Sequence, residues 1–294
     1  MEWKSRRIEA ILEQALVEDK ATSDLTTAVT IDPSLRAAAT VLAKEDCVLS
    51  GLGCIPRFLE IFARLDGRSS GRFEVVSHPE IFDGVRLRKG QAIAVIRHNA
   101  RVILGCERVI LNLMQRMSGI ATLTRHYVDE VEETGAKVLD TRKTIPGLRI
   151  LDKYAVRCGG GENHRIDLSD GILIKNNHIS LGGGIEKVME RAKQLRKAGQ
   201  TIDIEVRNME ELALALDHGA ESLLLDNMTP AEVKKAVGAV RERGLDIPIE
   251  ASGGITLENI RKYALAGPDY ISVGALTHSA IAVDLSMRIT AEIY

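Results

Sequence analysis

From about residue 118 onward, the chain alternates short apolar runs with helical segments, and few folds accommodate such an alternation. The run at 223–225 is apolar at every position, which indicates a strand covered on both faces. This pattern predicts βα units around a parallel sheet. Six strands are predicted, at residues 136–140, 171–175, 202–206, 222–225, 247–250 and 270–273. The pattern leaves room for a seventh strand.

The intervening helices carry recognisable start signals. Thr229 and Pro230 supply an N-cap and a proline at the first helical position. Asn208 with Glu211 resembles a capping box, and Thr256 is expected to cap the next helix. A doubly wound open sheet is the alternative, but no G-x-G-x-x-G opens a helix after the first strand. We therefore predict an α/β fold whose C-terminal part is a β/α barrel, open or incomplete, with six to seven strands.

The first hundred residues have a different pattern. Apolar spacing predicts helices over residues 5–20 and 55–65, with strand-like runs at 37–48 and 73–96 between turn signals. A long helical pattern at 100–117 links this part to the barrel. The expected organisation is an N-terminal α+β sandwich domain and a β/α barrel catalytic domain. Their expected bounds are residues 1–115, with 277–294 packing back on this domain, and residues 116–276.

Composition narrows the functional classes. Apolar residues make up 45% of the chain and charged residues 27%, which is ordinary for a globular protein. A formal net charge of -2 gives no basic field for nucleic acid or for an anionic membrane surface. With neither a signal-peptide pattern nor a membrane-length apolar run, we expect a cytoplasmic protein. The four cysteines form no C-x-x-C pair and are interpreted as reduced thiols.

Polar residues gather where the predicted barrel strands end, the side on which barrel enzymes carry their active sites. Cations follow the first two strands, in 140–144 and 172–178, while the middle strands end with Glu205 and Asp226. Two carboxylates on neighbouring strands suit a Mg²⁺ shared with substrate phosphates. The last strands end in glycine-rich turns, which commonly bind phosphate. Taken singly, such residues favour structural roles, and this includes His164, His178 and His278. Their combination at one face favours a site for a phosphorylated anion.

The motifs at these positions, and others before them, resemble the quinolinate phosphoribosyltransferase family over nearly the whole chain. The matching segments include 18–19, 24–27, 107–112, 141–149, 159–165, 173–178, 205–206, 225–227, 250–254 and 272–274. The resemblance implies that quinolinate and phosphoribosyl pyrophosphate give nicotinate mononucleotide, CO₂ and pyrophosphate, in de novo NAD biosynthesis. It also implies Mg²⁺ as cofactor and a homodimer or a hexamer of dimers, in which Arg108 reaches a neighbouring subunit's site.

The resemblance also assigns roles to residues. Catalytic roles fall to Lys143, Lys175, Glu205 and Asp226, with Glu205 and Asp226 holding the metal. Lys143 is the candidate for proton management in the decarboxylation. The quinolinate-side contacts are Arg108, Thr141, Arg142, Lys143, His164 and Arg165. Lys175, Glu205 and Asp226 face the ribose and pyrophosphate, and the 5′-phosphate is bound by Ser252, Gly253, Gly254, Val273, Gly274 and Ala275.

Two other functions fit parts of the same pattern. A lysine at a barrel strand end is a common covalent nucleophile, so Lys175 could serve a Schiff-base aldolase. A non-catalytic phosphate-binding barrel, or a divergent family member serving metal transport, would keep the glycines and lose the quinolinate-side cations. The presence of Arg108, Arg142, Lys143 and Arg165 argues against that second alternative.

Overall fold

A computed structural model describes residues 1–67 and 72–292 and divides the chain into two compact units. Unit 1 takes residues 1–123, 145–160 and those from 280 onward, and unit 2 takes residues 124–144 and 161–279. The first elements along the chain are α1 (Arg6–Glu18), α2 (Leu25–Thr30), β1 (Arg36–Ala43), β2 (Cys47–Val48), α3 (Cys54–Asp66), β3 (Glu74–Val76), β4 (Arg86–Leu87), β5 (Ala92–Asn99) and α4 (Ala100–Val131). The remaining elements are β6 (Lys137–Leu139), α5 (Arg149–Cys158), β7 (Ile172–Ile174), α6 (Asn176–Gly182), α7 (Ile185–Leu195), β8 (Ile202–Val206), α8 (Met209–Asp217), β9 (Ser222–Asp226), α9 (Pro230–Glu242), β10 (Ile249–Ser252), α10 (Ile260–Ala264), β11 (Tyr270–Ser272), α11 (Ala275–His278) and β12 (Leu285–Ala291).

Unit 1 is built on an antiparallel sheet in the order β12-β1-β5-β3. Strand β1 alternates buried and partly exposed residues, so one face of the sheet packs on the core. That core joins Leu12 of α1, Phe58 of α3 and Ile103 of α4 with Val41 and Ile96 of the sheet. The result is the expected N-terminal α+β arrangement of a sheet covered by helices.

Unit 2 contains a parallel sheet in the order β6-β11-β10-β9-β8-β7, which includes every strand predicted from the sequence. Its edge strands, β6 and β7, are not hydrogen-bonded to each other among the described residues. Glu162 forms one parallel bridge to Leu139 of β6, and this bridge is all that the described residues show of a seventh strand. The prediction of an open, incomplete α/β barrel is therefore confirmed.

Two of the three helix caps predicted from the sequence are present in the structure. Thr229 caps α9, as predicted, and it also forms a capping box with Glu232. Asn208 caps α8, but Glu211 accepts the backbone N–H of Arg207, so the capping box is incomplete. The cap predicted at Thr256 is wrong. Asn259 Oδ1 binds the Thr256 N–H at 2.8 Å, which holds residues 256–259 in a turn, and α10 begins only at Ile260.

Helix α4 is longer than the predicted pattern and continues to Val131, because apolar residues keep their helical spacing beyond residue 117. Among the helices of the described residues, none combines the length and the apolar character needed to cross a membrane. The four cysteines are free, and burial raises the pKa of the Cys47 thiol to about 11.

Candidate active site

The register of the parallel strands brings the polar residues onto one face of the sheet in unit 2. Glu205 of β8 is in register with Leu224 of β9, which is in register with Glu250 of β10. Asp226 lies two residues beyond Leu224 and is in register with Ser252. Since neighbouring residues in register project to the same face and residues two apart do so too, these side chains share one face.

Lys175 and Glu205 meet at the ends of β7 and β8. Lys175 Nζ lies 3.9 Å from Glu205 Oε2, and the Asn176 N–H donates to Glu205 Oε1 at 3.4 Å. The Lys175 N–H donates to His178 Nδ1 at 2.9 Å, so His178 holds the backbone at this strand end. Glu205 is buried and therefore presents a carboxylate with little competition from water.

Asp226 is the second carboxylate predicted to hold the metal, and Arg207 is the guanidinium influenced by both carboxylates. The Asn227 side-chain amide donates to Asp226 Oδ2 at 2.9 Å. The pKa of Arg207 is raised, mainly by its hydrogen bond and ion pair with Glu211 and further by Glu205 and Asp226. Both predicted metal ligands thus contribute to the field at one guanidinium.

Lys143 runs along the glycine turn after β11. A Cβ atom built on Gly274 would lie 3.0 Å from Lys143 Cδ and 3.2 Å from His278 Nε2. The Thr277 hydroxyl donates to the Lys143 carbonyl at 3.0 Å, and the Lys143 N–H donates to Thr141 Oγ1 at 3.1 Å. Glycine at position 274 therefore leaves room for the Lys143 side chain. The sequence alone did not indicate that His278 also lies beside Gly274.

The turn after β10 requires glycine for a comparable reason. Gly253 and Gly254 have φ angles of 93° and 63°. A Cβ atom on Gly253 would lie 2.3 Å from Asn227 Oδ1, and Asn227 itself has a φ of 55° with its N–H bonded to the Ser252 carbonyl at 2.8 Å. Two left-handed turns thus pack against each other and expose bare backbone where β9 and β10 end.

The cations predicted for a dicarboxylate lie in unit 2, apart from Arg108. The pKa of Arg165 is lowered by burial and then by the neighbouring Arg142, while Asp203 and Asp170 oppose the shift. Two guanidinium groups held near each other favour an anion between them. Arg108 is an exposed residue of α4 in unit 1.

His164 lies among buried carboxylates that the sequence analysis gave no role. Its Nε2 lies 3.3 Å from Glu250 Oε2, and its N–H donates to Asp140 Oδ1 at 2.9 Å. Burial raises the pKa of nearby Asp203, against a hydrogen bond from Ser222 and the field of His164. Asp203 and Glu250 lie on the strand face already occupied by Glu205, so strand periodicity was the signal that could have identified them.

The backbone of the last strand limits one further prediction. The Val273 N–H donates to the Leu139 carbonyl at 2.9 Å and so takes part in the sheet. Gly274 and Ala275 follow it at the start of α11. Any phosphate contact with this turn would therefore use backbone beyond Val273.

An open parallel α/β sheet whose strand ends carry cations, paired carboxylates and glycine turns defines a barrel-type enzyme for phosphorylated, anionic substrates. The profile of "Quinolinate phosphoribosyl transferase, C-terminal domain" matches residues 120–288, and that of the N-terminal domain matches residues 24–118. The chain belongs to the quinolinate phosphoribosyltransferase family.

Individual relatives agree with this membership. A "Probable nicotinate-nucleotide pyrophosphorylase [carboxylating]" of Bacillus subtilis is 39% identical over 284 residues, covering 97% of this chain and 94% of that protein. The crystal structure of NadC from Streptococcus pyogenes superposes with a TM-score of 0.89 at 36% identity, covering 97% of each chain. The nicotinate-nucleotide pyrophosphorylase structure from Francisella tularensis gives a TM-score of 0.86 at 36% identity, covering 97% of this chain and 96% of that one.

Proposed function

We propose that this chain transfers the phosphoribosyl group of phosphoribosyl pyrophosphate to quinolinate, giving nicotinate mononucleotide, CO₂ and pyrophosphate for de novo NAD biosynthesis. The observation that carries the proposal is family membership over both domains. It is supported by Glu205, Asp226 and Ser252 sharing one face of the parallel sheet. The Schiff-base and non-catalytic alternatives receive no support, because the relatives are carboxylating pyrophosphorylases.

The chemistry has two steps. The pyridine nitrogen forms a bond to the ribose C1′ while the C1′–O bond breaks, and the electron pair leaves with pyrophosphate. The bond from ring carbon 2 to its carboxylate then breaks, CO₂ departs, and the electron pair left beside the cationic nitrogen takes up a proton. Alignment and fixed charge are the contributions required of the protein.

The site residues divide along these steps. Arg142 and Arg165, with Thr141 and Lys143, are proposed to bind the two carboxylates of quinolinate. Lys175 is proposed to face the pyrophosphate, and its charge opposes that of the leaving group. The turn at 252–254 and the backbone of Gly274 and Ala275, beyond Val273, are proposed to hold the 5′-phosphate through N–H groups. Lys143 remains the candidate for handling the proton of the decarboxylation.

Glu205 and Asp226 are proposed to hold a Mg²⁺ ion. The donor set fits, since both are carboxylates on neighbouring strands, and Mg²⁺ usually takes one or two carboxylates plus phosphate oxygens and water. Among the described residues, no group of three or more His, Cys, Asp or Glu side chains is placed so that it could hold a metal ion by itself. The ion would supply positive charge for the pyrophosphate.

A homodimer, or a hexamer of dimers, is proposed, with Arg108 serving the site of a neighbouring subunit. The support is the resemblance together with the exposure of Arg108 on α4. A cytoplasmic location stays a prediction from the sequence.

The test is an assay of the purified protein with quinolinate, phosphoribosyl pyrophosphate and Mg²⁺, scored for nicotinate mononucleotide and CO₂. Nicotinate is added in a parallel reaction as a competing acceptor. We expect both products from quinolinate and dependence on Mg²⁺. Preferential turnover of nicotinate would refute the substrate assignment.

A further inference from the structure

A group of side chains in unit 2, the His164 network, consists of Asp140, Asn163, His164 and Glu250. Asp140 is fully buried and accepts hydrogen bonds from the Asn163 side-chain amide at 2.5 Å and from the His164 N–H at 2.9 Å. Glu250 Oε2 lies 3.3 Å from His164 Nε2. The imidazole is thus fixed through its backbone on one side and through its ring on the other.

Both nitrogens of the His164 ring have partners within this unit. Nδ1 accepts the backbone N–H of Arg165 at 2.7 Å, which requires a lone pair on that nitrogen. The ring proton of a neutral imidazole then lies on Nε2 and points to Glu250. The ring is therefore engaged with Glu250 and Arg165, and its hydrogen-bonding capacity is directed into the protein.

Glu250 is buried, with 9% of its surface exposed. Within the described part of the chain, its Oε1 atom has no hydrogen-bond partner, and its Oε2 atom lies against His164. A buried carboxylate is costly unless it is hydrogen-bonded or paired, and His164 Nε2 at 3.3 Å is such a partner for Glu250. Its position suggests a function exerted through the imidazole.

We propose that Glu250 is a positioning residue, which orients His164 so that the histidine fixes the backbone of Arg165 and thereby the place of its guanidinium. The inference rests on the proposed function, in which Arg165 binds a carboxylate of quinolinate. It revises the role expected for His164 from a direct substrate contact to a link between Glu250 and Arg165. The same logic orients the histidines of many catalytic sites, where a carboxylate sets the tautomer.

The contact itself is tested by NMR on the full-length protein labelled with ¹⁵N in its histidine rings. The His164 signals are assigned by their loss in His164→Gln. We expect a proton on Nε2 in the unmodified protein, protected from exchange by the hydrogen bond to Glu250. In Glu250→Leu this proton signal should be lost to exchange, and in Glu250→Gln, which keeps an oxygen acceptor, it should survive with a changed shift. A signal that is the same in all three proteins would overturn the proposal.

The function of the contact is tested by steady-state kinetics on the same variants. Loss of one charge-assisted hydrogen bond predicts a rise of about tenfold in the KM for quinolinate in Glu250→Leu, with the KM for phosphoribosyl pyrophosphate changing by less than about twofold. Glu250→Gln should lie between that variant and the unmodified protein. If the two KM values rose together, Glu250 would be structural only, and the proposal would be wrong.

Two features keep the outcomes separable. Glu190→Gln, an exposed substitution on α7, is the matched control and should leave both KM values unchanged. If Glu250→Leu failed to fold, Glu250→Gln would decide alone, through its intermediate KM and its changed Nε2 signal. A protein that did not turn over quinolinate would refute the proposed function, while the NMR signal would still confirm or reject the link between Glu250 and His164.

Discussion

His98 is a fully buried histidine on β5 in unit 1. Within the described residues, neither of its ring nitrogens has a hydrogen-bond partner, and the Phe73 ring lies 5.9 Å away. Burial lowers its pKa below the ordinary value of 6.5, and the charge of Arg36 lowers it further. The folded protein therefore protonates this ring only at a lower pH than the unfolded chain, in which the ring binds a proton once the pH falls below about 6.5.

This difference predicts an acid-dependent loss of stability. With the folded-state pKa depressed, the unfolded state binds more protons below pH 6.5, so the stability contributed by neutral His98 falls as the pH decreases toward the folded-state pKa. The slope from one such group is at most about 1.4 kcal/mol per pH unit. Chemical denaturation of the protein and of His98→Leu from pH 8 to pH 5 should show a smaller decrease in the variant. Parallel curves would contradict this account.

Arg142 supports a second prediction for a single residue. Its charge lowers the pKa of Arg165, and it follows β6, where the two carboxylates of quinolinate are proposed to bind. Arg142→Ala should raise the KM for quinolinate by about tenfold to a hundredfold, the cost of a lost ionic hydrogen-bonding group. The KM for the phosphoribosyl donor should change far less, as measured by initial rates. Arg191→Ala, an exposed substitution on α7, is the control, and equal losses for both substrates would count against the assignment.

Helix α9 illustrates how an element is set by its first residues. The Thr229 N–H donates to Glu232 Oε2 at 2.8 Å, and the Glu232 N–H donates back to Thr229 Oγ1 at 3.4 Å. Pro230 at the first helical position already has the φ angle of the helix. These local interactions explain why the start of this helix was predictable, whereas the start of α10 depended on an Asn259 side chain that turned back onto Thr256.

The cap of α9 leads to a stability prediction. Thr229→Ala removes the hydroxyl acceptor and should lower the free energy of unfolding by about 1 kcal/mol. In a chain of this size the corresponding decrease in Tm is about 2 °C, measurable by calorimetry. Thr229→Ser, which keeps the hydroxyl, should retain the Tm of the unmodified protein. If the alanine and serine variants melted together, the capping interaction would not be stabilising α9.

At the scale of the whole molecule, the proposed use of Arg108 by a neighbouring subunit can be tested by mixing two inactive variants. Arg108→Ala keeps Glu205, and Glu205→Gln keeps Arg108, so a mixed dimer would contain one site with both groups if Arg108 crosses between subunits. After subunit exchange at equal amounts, half of the dimers are mixed, and about a quarter of the original activity should return. Activity is measured with quinolinate before and after exchange.

The control for that experiment is Glu205→Gln mixed with Asp226→Asn. Both substitutions lie in the same unit of the chain, so no mixed dimer would gain an intact site. Recovery in this control, or no recovery in the test pair, would refute a site shared between subunits.

The positions of the strands, and the charged residues that follow each strand, were predictable from the sequence alone because both depend on local sequence. Apolar runs bury both faces, turn residues separate them, and the strand-end residues then follow from chain position. Which of those residues meet was decided by tertiary structure, because register is a pairing between distant segments. The path of Lys143 over Gly274, the packing of Gly253 on Asn227 and the link between Glu250 and His164 are contacts across 131, 26 and 86 positions of the chain. No spacing rule reaches that far, since such contacts depend on how the strands fold together and not on the period within any one of them.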